Sequence, residues 1–247
     1  MRRKVLSSLK SMLTFCQGKG RVAQNVASAV KIKSDDKRDM APIRAGVDFP
    51  SRDELRTILE KAEGRWRPLI TTAIFTGMRA SELRGLPWAN VDLDGGVIHV
   101  RQRADHWGKI GKPKSKAGNR DIPLTPMAIN ALRAWRDQCP PGSLGLVFPN
   151  ETGGIEHHKT ILRGFWEPFQ IANGMTVDGV PKYGLHALRH AAASLFIAHL
   201  GWTPKRVQAV LGHSSIQMTY DRYGHLFEDG DSDREAMKKL EAAVVAA

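Results

Sequence analysis

The sequence has few cysteines and tyrosines, fewer acids than bases, and no long apolar run. Its two cysteines, Cys16 and Cys139, exclude a disulfide framework, and no CxxC pair is present to hold a metal. No stretch approaches the ~18–20 apolar residues needed to cross a bilayer. Met1-Arg2-Arg3-Lys4 is basic, but Ser, Lys and Gln soon interrupt the apolar residues after it, which argues against a signal peptide. These absences point to a soluble protein of a reducing compartment with no membrane-spanning part. What is abundant is positive charge: 37 Lys+Arg against 25 Asp+Glu, a net +12 over 247 residues. Such a balance implies nucleic acid as partner, with an anionic membrane surface as the second choice. Hydrophobic residues at 42% and charged residues at 25% fit a packed domain with a small appendage and exclude a disordered chain.

The charge is clustered. Residues 1–44 hold eleven Lys/Arg and three Asp, and residues 101–120 hold seven Lys/Arg and one Asp. The tail from Glu228 runs the other way, with six acids and three bases. Any single Lys is most simply a solvated side chain. Two basic clusters flanking an apolar core read better as a surface that tracks phosphates. Arg101, Arg103, Lys109, Lys112 and Arg120 are the candidate DNA contacts of the second cluster.

Apolar spacing predicts a helix over 3–16 (Val5, Leu6, Leu9, Met12, Leu13, Cys16), stopped by Gly18 and Gly20. A shorter helical stretch with Val22, Val26 and Val30 is expected next, and polar, unpatterned residues 34–50 read as a linker. Ser51 and Glu54 form a capping box ahead of Leu55, Ile58, Leu59 and Ala62. A second helix runs from about Pro68 to Thr76 and breaks at Gly77. The period then becomes two: Val91–Leu93, a turn at 94–96 and Val97–Val100 form a hairpin, with Asp121–Leu124 as a third, edge strand because of Pro123. Thr125-Pro126 opens another helix. Helices are expected next near 157–172, 186–200, 204–211 and 215–223, with one more possible over 232–246. The expected fold class is mostly α with a small three-stranded antiparallel sheet, preceded by a short helical arm.

Four places carry candidate chemistry. Arg79 lies just beyond a helix-ending glycine in Gly77-Met78-Arg79-Ala80-Ser81-Glu82, where a surface ion pair with Glu82 is an equally simple account. In Leu185-His186-Ala187-Leu188-Arg189-His190, His186 and Arg189 share one helix face. His186 and His190 at i, i+4 raise metal binding, but Ala187 stands where a zinc protease needs Glu, and no third ligand is evident at sensible spacing. His213 comes after Leu211-Gly212. Finally, Thr219-Tyr220-Asp221-Arg222-Tyr223-Gly224-His225 holds two of the three tyrosines.

In this order and at these intervals the four resemble the tyrosine recombinase family of phage-type integrases. Pro113-Lys114-Ser115-Lys116 resembles that family's lysine-bearing hairpin, and Leu86-Pro87-Trp88 and Val91-Asp92-Leu93 fall where it has similar elements. The resemblance covers about 51–227 as the catalytic domain, with 1–33 as a partial core-binding arm, 34–50 as linker and 228–247 as a tail helix. It implies a metal- and cofactor-free strand transfer. Arg79 and Arg189 would neutralise the nonbridging oxygens, Lys114 or Lys116 would protonate the leaving oxygen, and His186 and His213 would assist. Tyr223 would be the nucleophile, storing the bond energy as a 3′-phosphotyrosine, with Tyr220 a packing residue.

The implied partners are double-stranded DNA attachment sites and further copies of the chain: weak self-association in solution and a homotetramer on synapsed DNA. The implied location is the cytoplasm of a bacterium or phage host, at the nucleoid. Only about 45 residues precede the catalytic domain, so the expectation is a fragment or a shortened relative. A type IB topoisomerase, a DNA-binding module with vestigial catalysis and a metallohydrolase are the competing readings.

Overall fold

The computed structural model describes residues 2–32, 42–227, 237–238 and 241–242. The chain divides into two units, Met1–Ala41 and Pro42–Ala247. In the first, α1 (Arg2–Gly18) forms as its apolar spacing requires. Val5, Leu9, Met12 and Phe15 are exposed along it. The second arm helix does not form; residues 22–30 are bends and a turn over 26–29. The Asn25 side chain takes over the local backbone, its amide donating to Lys10 O (2.9 Å) and Thr14 Oγ1 (2.8 Å) while its carbonyl accepts from Ala27 N. A side chain that bonds nearby backbone in this way competes directly with helix propagation. Residues 33–41 of the arm and expected linker, and most of the expected tail helix over 228–247, lie outside the described residues.

The second unit begins earlier than the sequence suggests. Ile43 and Phe49 are buried in its core, so residues 42–50 are its first segment and no linker. After them come α2 (Arg52–Lys61), with the Ser51/Glu54 capping box formed in both directions, and α3 (Trp66–Thr76). Next are the short α4 (Ala80–Arg84), β1 (Val91–Asp92) and β2 (Val97–Val100). A ribbon β3 (Arg103–Ala104)–β4 (Ile110–Gly111) precedes β5 (Arg120–Pro123) and α5 (Pro126–Arg136), capped by Thr125. The chain continues through α6 (His158–Ile161), a π turn over Leu162–Trp166 and α7 (Glu167–Ala172). A second ribbon, β6 (Thr176–Val177)–β7 (Val180–Pro181), leads to α8 (Ala187–Leu200), α9 (Pro204–Leu211) and α10 (Gln217–Tyr223).

The three-stranded sheet has the order β1-β2-β5 and is antiparallel, with Val91 opposite Ile98 and Ile98 opposite Ile122. Pro123 sits on an edge strand, where its missing N–H costs no ladder bond. α3 packs between α5 and α8. It is apolar on nearly every side because it is enclosed: Leu69, Ile70, Ala73 and Ile74 are all buried. Ala191, Ala192 and Ala193 of α8 are all buried and have no bulk to hold neighbouring helices apart. α9 and α10 come after α8 and close one end of this core, and the C-termini of α3 and α9 meet there.

Candidate active site

The meeting point depends on Gly77. It caps α3 at φ +61°, and a Cβ there would lie 2.7 Å from Leu211 Cδ2 and 3.2 Å from Ala192 Cβ. Only glycine satisfies both the left-handed backbone and the close approach of three helices. Two residues on, Arg79 stands at the N-cap of α4, half-exposed, and donates to Glu82 Oε1 (2.8 Å) and Gly212 O (2.9 Å). Glu82 is no surface partner: it is 2% exposed. It accepts from Arg79 N (2.9 Å) and, bidentately, from Arg120 Nη1 (3.1 Å) and Nη2 (2.8 Å). Burial alone would raise its pKa, but the bonds and charge of Arg120 and then Arg79 hold it down at about 2.

Arg189 lies in the first turn of α8 and is buried. It donates to Gly77 O and to Leu211 O, both at 2.7 Å. Its charge thus sits on carbonyls at the ends of two helices, which lack intrahelical partners and where the peptide dipoles favour a cation. Loss of water, then repulsion from Arg79, lowers its pKa to about 9, which still leaves it charged at neutral pH. Arg189 and Arg79 therefore grip consecutive carbonyls, Leu211 O and Gly212 O, directly before His213.

His213 is buried, with Nδ1 2.9 Å from Thr219 Oγ1. Its ring runs parallel to that of Tyr223, 7° off plane with centroids 6.4 Å apart. Tyr223 ends α10 and is 1% exposed; its hydroxyl lies 2.8 Å from His190 Nδ1. Burial raises the phenol to about 12 against the pull of Arg189 and Arg222. His186, at the N-cap of α8, meets His190 edge to face with centroids 5.0 Å apart. His186 keeps an exposed edge, but partial desolvation of its ring and then the charges of Arg189, Arg79 and Arg222 lower it to about 4. Desolvation and then His186, Arg222 and Arg189 lower His190 to about 4, and desolvation with Arg189, Arg79 and Arg120 lowers His213 to about 3. All three rings are neutral at physiological pH, beside guanidiniums with one buried carboxylate between them. The arrangement is built to receive an anion.

A cavity of about 250 Å³ opens beside this cluster, lined by Arg79, Glu82, Arg103, Lys114, Gly212 and Ser214 among others. Both lysines are exposed, but Lys114 shares the cavity with Arg79, whereas Lys116 starts a 3₁₀ turn (Lys116–Gly118) and does not line it. A larger cavity of about 710 Å³ lies between α2, α3 and α5 with largely apolar walls, and none of the candidate catalytic residues lines it.

The basic segment divides in two. Lys109 and Lys112 are exposed on the β3–β4 ribbon and just after it. Trp107, at the ribbon's tip, is 81% exposed. Arg101 is exposed and paired with Asp121 (2.6 Å). Arg103 turns toward the cavity. Arg120 departs from the expectation of a DNA contact: its side chain is 5% exposed, spent on Glu82, Val210 O (2.6 Å) and Gly118 O (3.1 Å). Four N–H bonds of its guanidinium serve the interior, bracing Glu82 beneath Arg79. Tyr220 is likewise no core residue; it is 48% exposed, with its ring 6.0 Å from Phe227.

Two members of the cluster were not legible as such. Glu82 reads in sequence as a surface ion pair and His190 only as a possible metal ligand. The i, i+3 spacing of Arg79 and Glu82 was the available signal for the first; the contact of His190 with a residue 33 positions away left none. Among the described residues, no group of three or more His, Cys, Asp or Glu side chains is placed to hold a metal ion.

Residues 50–229 match the phage integrase family model. The prophage integrase IntR of Escherichia coli strain K12 is 23% identical over 249 residues, covering 94% of this chain and 59% of its own. The putative prophage phiRv2 integrase of Mycobacterium tuberculosis strain H37Rv is 31% identical over 191 residues, with 75% and 49% covered. The tyrosine recombinase XerC of Xanthomonas axonopodis pv. citri is 28% identical over 225 residues, with 90% and 66% covered. This chain thus spans between 49% and 66% of the length of these curated relatives. In fold it is similar to the Tn1549 transposon integrase in complex with a circular intermediate DNA, with TM-score 0.68, 20% identity and 97% of this chain and 78% of that one covered. It is also similar to the XerA recombinase, with TM-score 0.60, 20% identity and 98% and 76% covered. The matched stretch takes in every residue of the cluster around Tyr223, and the chain belongs to the phage integrase family.

Proposed function

We propose that this chain is the strand-transferring part of a site-specific DNA recombinase, which cuts and rejoins strands through a 3′-phosphotyrosine without metal or ATP. The observation that carries the reading is the grip of Arg189 and Arg79 on Leu211 O and Gly212 O, next to a histidine whose ring parallels that of Tyr223. Tyr223 is the nucleophile. Arg79 and Arg189, which have further N–H donors beyond those tied to backbone, neutralise the nonbridging oxygens as charge builds on phosphorus. We assign His213 the tautomer with Nδ1 accepting from the Thr219 hydroxyl and N–H on Nε2, which donates a hydrogen bond to the same phosphate. His186 contributes beside it. Lys114, on the cavity shared with Arg79, protonates the departing 5′ oxygen; Lys116 is the reserve assignment. Positioning and electrostatics do most of the work, as phosphoryl transfer requires.

The substrate is double-stranded DNA at attachment or recombination sites of a mobile element. Exposed Arg101, Lys109 and Lys112 track its phosphates, with Arg103 nearer the cavity. The working form is a homotetramer on synapsed DNA, with weak self-association otherwise, acting at the nucleoid of a bacterial or phage-infected cytoplasm. Among the described residues no helix is long and apolar enough to cross a membrane.

The test is a nicked suicide duplex, tiled across the DNA that flanks the coding region and incubated with the chain. A protein–DNA adduct that survives denaturation, and is lost in Tyr223→Phe, supports the reading. Its absence from the unaltered chain refutes it. Relaxation of supercoils without site preference favours topoisomerase action instead.

A further inference from the structure

Strand transfer as proposed needs a group that accepts the nucleophile's proton, and the family resemblance offers His186, which would either help take that proton or orient the phosphate. The geometry points elsewhere. We propose that His190 is a catalytic residue, its Nδ1 receiving the Tyr223 hydroxyl proton as that oxygen attacks the scissile phosphorus. The inference rests on the strand-transfer reading above.

Three observations carry it. The His190 Nδ1 to Tyr223 Oη distance is 2.8 Å, within the normal range for an O–H donor. Tyr223 is 1% exposed, so no bulk water stands ready to take its proton. Among the described residues, no hydrogen bond joins His186 to Tyr223; its ring instead abuts that of His190. Both histidines rise from the first turn of α8, but His190 is the one aimed at α10.

The step balances. The Tyr223 O–H bond breaks and its proton moves to His190 Nδ1 while an Oη–P bond forms. The P–O5′ bond breaks, and O5′ takes a proton from Lys114. In rejoining, O5′–H returns its proton to Lys114 and His190 returns its own to the departing phenolate. The groups facing His190 are His186 and Arg189 from α8, Arg222 and Tyr223 from α10, and Asp48 from the segment before α2. In the free chain desolvation of the ring, followed by His186, Arg222 and Arg189 against the opposing Asp48, holds the imidazole neutral, as an acceptor must be. An incoming phosphate offsets the guanidiniums, and the negative charge that accumulates on phosphorus strengthens the base when it is needed.

Two measurements test this. In the free chain, long-range 15N–1H spectra should show His190 Nδ1 unprotonated, with a resonance that moves in Tyr223→Phe; a proton resident on Nδ1 would make the hydroxyl the acceptor and overturn the proposal. The second uses the suicide duplexes with a 5′-bridging phosphorothiolate, whose sulfur leaves without needing a proton. His190→Ala and His190→Asn should each lose about 10²-fold in single-turnover adduct formation on both oxygen and sulfur substrates. Asn keeps an acceptor near the Nδ1 position but is too weak a base to take the proton, and its thermal unfolding confirms that the chain is folded. Cleavage by either variant at the unaltered rate, or a defect erased by the sulfur leaving group, sinks the assignment. No adduct from the unaltered chain is a failure of the strand-transfer reading, and is recognised as such.

Discussion

Replacing Glu82 with Gln removes one carboxylate and leaves Arg120 buried without its counter-ion. The size of the effect can be worked from the structure. Glu82 accepts four N–H bonds, three of them from guanidiniums, while 2% exposed. Its carboxyl titrates near 2 where 4.5 is ordinary. That difference corresponds to about 3 kcal/mol of stability at neutral pH. Removing one partner of a buried ion pair costs about 3–5 kcal/mol, which agrees. For a chain of this size about 3 kcal/mol lowers Tm by roughly 6–12 °C. Thermal unfolding of E82Q against the unaltered chain measures this. The sign with pH is also fixed: a lowered carboxylate pKa gives stability that is present above about 4.5 and lost as pH falls toward 2. The gap between the two proteins should therefore close over that window. An E82Q variant with unchanged Tm at neutral pH would refute the buried triad of Arg79, Glu82 and Arg120. Its adduct yield is a second readout, since Arg79 loses the carboxylate that orients it.

The same site sets further outcomes. His190, partly buried, and His213, buried, are lowered from 6.5 to about 4 and 3 and take up protons more readily when unfolded. Stability to denaturant should thus be complete above about pH 6.5 and fall as the pH drops through that value toward 4; a flat profile over that range contradicts their desolvation. Gly77→Ala should destabilise by more than about 1 kcal/mol and weaken catalysis, because its Cβ meets Leu211 and the carbonyl that anchors Arg189 must move. Chemical denaturation reads the first and adduct formation the second. Trp107→Ala should leave stability within about 0.5 kcal/mol, since the side chain is 81% exposed, while weakening DNA binding in a gel-shift assay. Lys109→Ala and Lys112→Ala should each flatten the log affinity against log salt plot by about 0.9, and an unchanged slope would remove that lysine from the phosphate path.

The elements that sequence reasoning placed well are those specified locally. Ser51 with Glu54, Thr125 with Pro126, and the glycines at 77 and 212 mark their helix ends through bonds and dihedrals that need no distant partner. The ribbon β6–β7 is absent from the sequence reading although its signal is equally local: Asp178 and Gly179 both have positive φ, and this Asp-Gly pair between Val177 and Val180 is a strong hairpin turn signal. What stayed hidden depends on enclosure. Arg120 has the composition of a surface residue and lies in a basic run, yet Glu82 and Val210, 38 and 90 positions away, draw it inside. Ile43 and Phe49 are too few among polar neighbours to announce a core segment. Conversely, Val22, Val26 and Val30 look like a helical stripe, but nothing in the spacing reveals that Asn25 takes the backbone bonds for a turn. His190 belongs to the same class: its identity is visible, but its contact with Tyr223 is made by the fold.

Everything proposed for this site turns on whether the buried phenol of Tyr223 attacks DNA. The most direct measurement is peptide mapping of the adduct formed on a suicide duplex. The expected product is a nucleotide linked through its 3′ phosphate to the peptide bearing Tyr223, with Tyr220 unmodified. Attachment at Tyr220, linkage through a 5′ phosphate, or cleavage that leaves free ends would contradict it.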